Sequence, residues 1–107
     1  MKKVRKHKSF LSLLSDTSPK QRKALVKTMC KGQLQSICEI ALNLLNGSIP
    51  IPPHIKKKLA PFKSLIRHVA DRSVSLAKKK NFLNMNRNSS IISKVLGHLV
   101  PTLLNSI

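Results

Sequence analysis

Between Lys31 and Lys56 the chain carries no Lys or Arg. Inside that gap Leu34, Ile37, Cys38, Ala41, Leu42, Leu44 and Leu45 recur at spacings of three and four, the repeat of a helix with an apolar face. Ile40 widens the face, so the pattern predicts a largely buried helix over 33–46. Gly47 ends it, because glycine readily takes the left-handed position that closes a helix. No segment alternates apolar and polar residues as a half-buried strand does. The fold expected is all-α: a small bundle of about five short helices with a basic N-terminal arm and an apolar C-terminal helix.

The flanking segments carry their own punctuation. Ser18-Pro19 reads as an N-cap followed by proline at the first helical position, where its missing N–H costs nothing. The helix that follows sets Leu25, Val26 and Met29 against a basic face and is expected to stop near Lys31-Gly32. Ser48-Ile49-Pro50-Ile51-Pro52-Pro53 is excluded from helix, since a residue before proline is pushed towards extended geometry. Pro53 opens a short helix bearing Ile55 and Leu59. Pro61 restarts the chain into Phe62, Leu65, Ile66 and Val69. Ser73 is a candidate cap for a helix through Val74, Leu76, Ala77, Phe82 and Leu83. Asn84 to Ser90 reads as a polar loop, and Ile91, Ile92, Val95, Leu96, Leu99, Val100, Leu103, Leu104 and Ile107 form an apolar stripe beyond it. The division expected is a basic helical domain over 1–84, with 1–9 as a flexible arm, then a polar linker and apolar segment over 85–107.

A chain of 107 residues suits one domain. Its hydrophobic content of 41% is globular, but aromatics are only 3% and Trp and Tyr are absent. The core must therefore be aliphatic, with Phe10, Phe62 and Phe82 its only large rings. Cys30 and Cys38 make no disulfide framework and read as small hydrophobes of helical segments. The apolar stretch Phe10 to Leu14 is too short for a signal peptide, and no run approaches the roughly 20 residues of a membrane span. A reducing, intracellular setting is expected.

Charge decides the functional class. Lys and Arg number 21 against three acids, Asp16, Glu39 and Asp71, for a formal charge of +18. Three carboxylates cannot pair so many bases, and a polyanion would relieve the self-repulsion. Three isolated carboxylates also supply no paired general acid and base. Among His7, His54, His68 and His98, only His68 has an acid nearby in sequence, Asp71. No Cys/His metal spacing or glycine-rich phosphate loop is present. A non-enzymatic protein without cofactor or metal is expected.

The bases fall in blocks, and these supply the candidate phosphate contacts. They are Lys2, Lys3, Arg5, Lys6 and Lys8; Lys20, Arg22, Lys23 and Lys27; Lys56, Lys57, Lys58, Lys63 and Arg67; and Lys78, Lys79 and Lys80. Each base that neutralises a phosphate releases condensed counterions. Lysine outnumbers arginine and lacks the bidentate fork that reads guanine, and there are no interleaved aromatics on which bases stack. The reading is therefore backbone-directed binding of nucleic acid with little sequence selectivity. Two rival classes use other features. A membrane-active or assembly protein would engage anionic membrane through residues 90–107, and an adaptor would set basic helices on an acidic protein partner.

The order of features also resembles a family. The segments MKKVRKHKSFLSLL, TSPKQRKALVKTM, GQLQSICEIALNLLNGSIP and PPHIKKKLAPFKSLIRHVADRSVSLAKKK, followed by a hydrophobic tail, resemble small basic core-type proteins of adintoviruses and Polinton-like elements over nearly the whole chain. Those proteins are distantly similar to the adenovirus core protein X precursor. The resemblance implies packaging of viral double-stranded DNA, DNA rather than RNA as ligand, capsid or core proteins as neighbours, and the host nucleus and virion core as location. One departure concerns maturation. Relatives join the basic part to the tail through a glycine-pair junction suited to protease cleavage, whereas Asn84-Met85-Asn86-Arg87-Asn88-Ser89-Ser90 stands here.

Overall fold

The buried helix predicted over 33–46 forms as α4, Lys31–Leu45, in the computed structural model, which describes residues 2–106. Its C-terminus closes as a Schellman motif. The Ser48 N–H donates to Asn43 O at 3.0 Å and the Gly47 N–H to Leu44 O at 3.3 Å. Gly47 sits at φ 74°, which a side chain would resist, so the residue type is dictated by the turn. At the other end the Cys30 N–H donates to the Gln33 side-chain oxygen at 2.9 Å, which satisfies one of the orphan donors of the first turn.

The remaining described helices are α1 (Lys2–Lys6), α2 (Lys8–Ser15), α3 (Pro19–Thr28), α5 (Pro53–Leu59), α6 (Lys63–Ala70), α7 (Leu76–Asn84) and α8 (Asn86–Ser106). A 3-10 turn at Ala60–Phe62 joins α5 to α6, and no strand occurs among the described residues. Ser18 caps α3 as expected, its hydroxyl accepting from the Gln21 N–H at 3.3 Å with Pro19 at the first position. Pro53 likewise stands at the first position of α5, though without a side-chain cap.

Five sequence expectations are revised. The described helices outnumber the five or so expected, and α4 and α8, at 15 and 21 residues, are not short. Residues 2–6 are not a free arm but α1, docked on α4 by the fully buried Val4. The Val4 N–H also donates to Glu39 Oε1 at 3.4 Å, so one of the few acids is used to hold the N-terminus. Gly32 does not end α3, which stops at Thr28; it lies in the first turn of α4, where the His7 ring rests on it. Ser73 is not the cap of α7. Its N–H and hydroxyl both donate to Asp71 Oδ1, at 2.9 and 2.7 Å, and Ser75 caps instead by accepting from the Lys78 N–H at 3.2 Å. Finally, 84–90 is no linker. A single extended residue, Met85, separates α7 from α8. The Asn88 amide holds that joint by donating to Phe82 O at 2.8 Å.

Helix α8 is structural. Ile92, Val95, Leu96, Leu99, Val100 and Leu103 are buried in one continuous core with residues of every other helix. It packs against α2, α3 and α7, while α4 gathers α1, α6 and α7. The two groups meet where Ile37, Ala41, Ile66, Val69 and Leu96 enclose a void of only about 10 Å³. Close approach of α2 to α8 is secured by Ser93, whose hydroxyl donates to Leu14 O at 3.0 Å. The radius of gyration, 12.5 Å, matches the roughly 13 Å expected of one domain of about 100 residues. Residues 2–84 and 85–106 thus share a single core. No helix among the described residues is long and apolar enough to cross a membrane.

Candidate nucleic-acid interface

A lysine on an amphipathic helix keeps its ammonium in water while its stem covers apolar neighbours. Most of the candidate cations obey that rule. On α1 and α2, Lys2, Arg5 and Lys6 are exposed and Lys3 and Lys8 half-buried. The His7–Gly32 contact brings this block beside Lys31, the exposed first residue of α4, so bases far apart in sequence share one edge. Helices α3 and α7 pack on each other. Lys20, Lys23, Lys27 and Lys78 there are exposed, with Arg22 and Lys80 half-buried. On α5 and α6, Lys56, Lys57, Lys58, Lys63 and Arg67 are all exposed. Lys56 and Lys63 flank an apolar groove of about 260 Å³ floored by Leu44, Ile51, Leu59 and Ile66.

Lys79 departs from the expectation. It is only 5% exposed, which withdraws it from the surface contacts. Consecutive helical residues turn by about 100°. Helix α7 is enclosed by α3, α4 and α8, so one of Lys78, Lys79 and Lys80 has to point inward. The Lys79 charge acts on Cys38 and Asp71. Burial pushes the Cys38 thiol up, and the nearby Lys79 charge offsets part of that rise. The exposed Asp71 carboxyl lies below its ordinary value, held there first by the Ser73 hydroxyl, then by the Ser73 N–H, with Lys79 and His68 adding to the effect.

Sequence reasoning left Lys31, Arg72, Arg87 and Lys94 out of the candidate set, yet all four are exposed cations. Their only signal was charge, at the end of a block for Lys31, Arg72 and Arg87 and alone for Lys94. Lys94 lines a cleft with Arg22 and His98, a meeting of α3 with α8 that sequence separation conceals. His68, the histidine with an acid nearby in sequence, stacks on Phe82 with centroids 4.0 Å apart and planes tilted by 33°. Its ring thus joins α6 to α7. Among the described residues no three His, Cys, Asp or Glu side chains converge as metal ligands would. Comparison with known protein families, curated proteins and solved structures finds no match.

Proposed function

We propose that this chain is a non-enzymatic nucleic-acid-binding protein that condenses or packages DNA through Lys and Arg contacts to phosphate. The observation that carries the reading is the surplus of 21 bases over three acids, set on a folded scaffold with most of the cations exposed. Phosphate contacts position a protein on a duplex without reading sequence, so little selectivity is expected. The ligands are the bases named above with Lys79 removed. The resemblance to core-type proteins of adintoviruses and Polinton-like elements favours viral double-stranded DNA, with the virion core and host nucleus as location and capsid or core proteins as neighbours. Against the membrane alternative stands the burial of Ile92, Val95, Leu96, Leu99, Val100 and Leu103, six residues of the α8 stripe on which it depends. Engagement of about eight cations gives a slope near −7 for log K against log salt. Titration of the protein with a mixed-sequence duplex at several salt concentrations tests this. Binding that is absent at low salt, or indifferent to salt, overturns the proposal.

A further inference from the structure

The turn between α2 and α3 and the middle of α8 enclose an open cleft of about 570 Å³. We propose that this cleft is a binding site for a phosphoryl oxyanion. Arg22 enters it from α3, and Lys94 and His98 enter from α8. The latter two are four residues apart and so share one face of that helix. The Arg22 Nε is fully buried and has no hydrogen-bond partner. That N–H is closed to anything in the cleft, so what Arg22 offers a ligand there is the other guanidinium N–H groups, whose bonds to an oxyanion are charge-assisted.

Three of the carbonyls that would repel an anion are already engaged. A helix C-terminus presents carbonyl oxygens and negative potential, and α2 ends in this cleft. Its Ser12 O accepts from the Ser15 hydroxyl at 2.7 Å. Its Leu14 O accepts from the hydroxyls of Thr17 and Ser93, at 3.4 and 3.0 Å. Leu13 O accepts from the Asp16 N–H at 3.2 Å. The Ser18 hydroxyl, used as acceptor by the Gln21 N–H, keeps its own proton to donate. What faces the cleft unspent is therefore donor-rich and cationic. Asp16, exposed at the rim, is the one opposing charge. Two cations and an imidazole on two walls call for a ligand with several acceptor oxygens, which a phosphoryl group supplies and a carboxylate supplies less well.

The site rests on its own geometry. Its assignment to the phosphates of a nucleic acid deepens the proposed function and depends on that reading. The test follows the His98 ring resonances of the full chain while inorganic phosphate is added, with chloride at equal ionic strength as reference. A saturable shift specific to phosphate is expected. Arg22→Gln should weaken it at least about tenfold, as loss of a charged hydrogen bond does. Lys94→Gln, at an exposed position where folding is not at risk, should weaken it about two- to fivefold. Asp16→Asn should tighten it by a similar factor. No shift beyond that of chloride, or weaker binding in Asp16→Asn, overturns the site. Duplex titration of the same variants tests the deepening: both cation variants should lower affinity and flatten the salt slope by about one contact. Unchanged duplex binding in both overturns it. A wild-type chain that ignores duplex while phosphate still saturates the His98 shift refutes the nucleic-acid reading and leaves the oxyanion site standing.

Discussion

Leu96 lies midway along α8, fully buried where α8 meets α4 and α6. If α8 is part of the core, Leu96→Ala must damage the whole fold. The truncation removes three carbons, each worth about 0.8 kcal/mol of lost burial, or about 2.4 kcal/mol in all. A void already borders the side chain, so the space left behind enlarges an existing defect, and the cavity penalty lifts the cost to about 3–5 kcal/mol. A chain of 107 residues has a total stability of roughly 5–16 kcal/mol, so the loss is a large share of it. Without Trp or Tyr, unfolding is best followed by far-UV circular dichroism in urea. At a slope of about 1.5 kcal/mol/M the midpoint should fall by about 2–3 M. Leu13→Ala, at a residue 53% exposed on α2, should leave the midpoint within about 0.5 kcal/mol of wild type. Equal, small shifts for both variants would refute the placement of α8 in the core. The same measurement bears on maturation, since a protease that removed residues 91–107 would take six of the 23 described buried hydrophobic residues with them.

Alanine at Gly32 gains up to about 1 kcal/mol of helix propensity, but its Cβ would lie 2.8 Å from His7 Nε2. Gly32→Ala should therefore stabilise more in a His7→Ala background than in wild type, and a thermal double-mutant cycle reads the coupling. Ser73→Ala should raise the Asp71 carboxyl towards its ordinary value, visible in a ¹³C titration of the side-chain carboxyl. Because the folded value is depressed, Asp71 contributes stability above the ordinary carboxylate range and loses it as pH falls through the folded value, and Ser73→Ala should shrink that acid-side loss. An aromatic disulfide reagent should consume Cys30, which is exposed, in a fast phase and Cys38 in a slow one, since burial raises the Cys38 thiol. Cys30→Ser should leave only the slow phase.

Much of the scaffold was legible where local rules act alone. The spacing of Leu34 to Leu45, the glycine after it, and the serine–proline and proline starts of α3 and α5 encode their elements within a few residues. What escaped depends on distant partners. Val4 is a single apolar residue among lysines, and only α4 gives it a place to be buried. The asparagines after Phe82 read as loop because their amides have no visible task until Asn88 is seen closing the end of α7. In the candidate interface the blocks of charge were legible, but their orientation was not. Lys78, Lys79 and Lys80 are identical in sequence, and only the helices around α7 decide which one leaves the surface.

The molecule measures 31 × 28 × 27 Å, nearly equal in every direction, and exposed cations stand on every described helix but α2. A duplex as long as the largest dimension carries about 18 phosphate charges, one per roughly 1.7 Å. That equals the formal charge of the protein. Yet a rod lying along one side of a near-sphere reaches only the cations of that side. The charges balance in number while geometry keeps them from meeting, so the unmet cations remain open to a second strand. On the proposed function, a protein of this shape would have a valence above one towards a rod-like polyanion, and compaction would arise from cross-links between neighbouring segments instead of from wrapping.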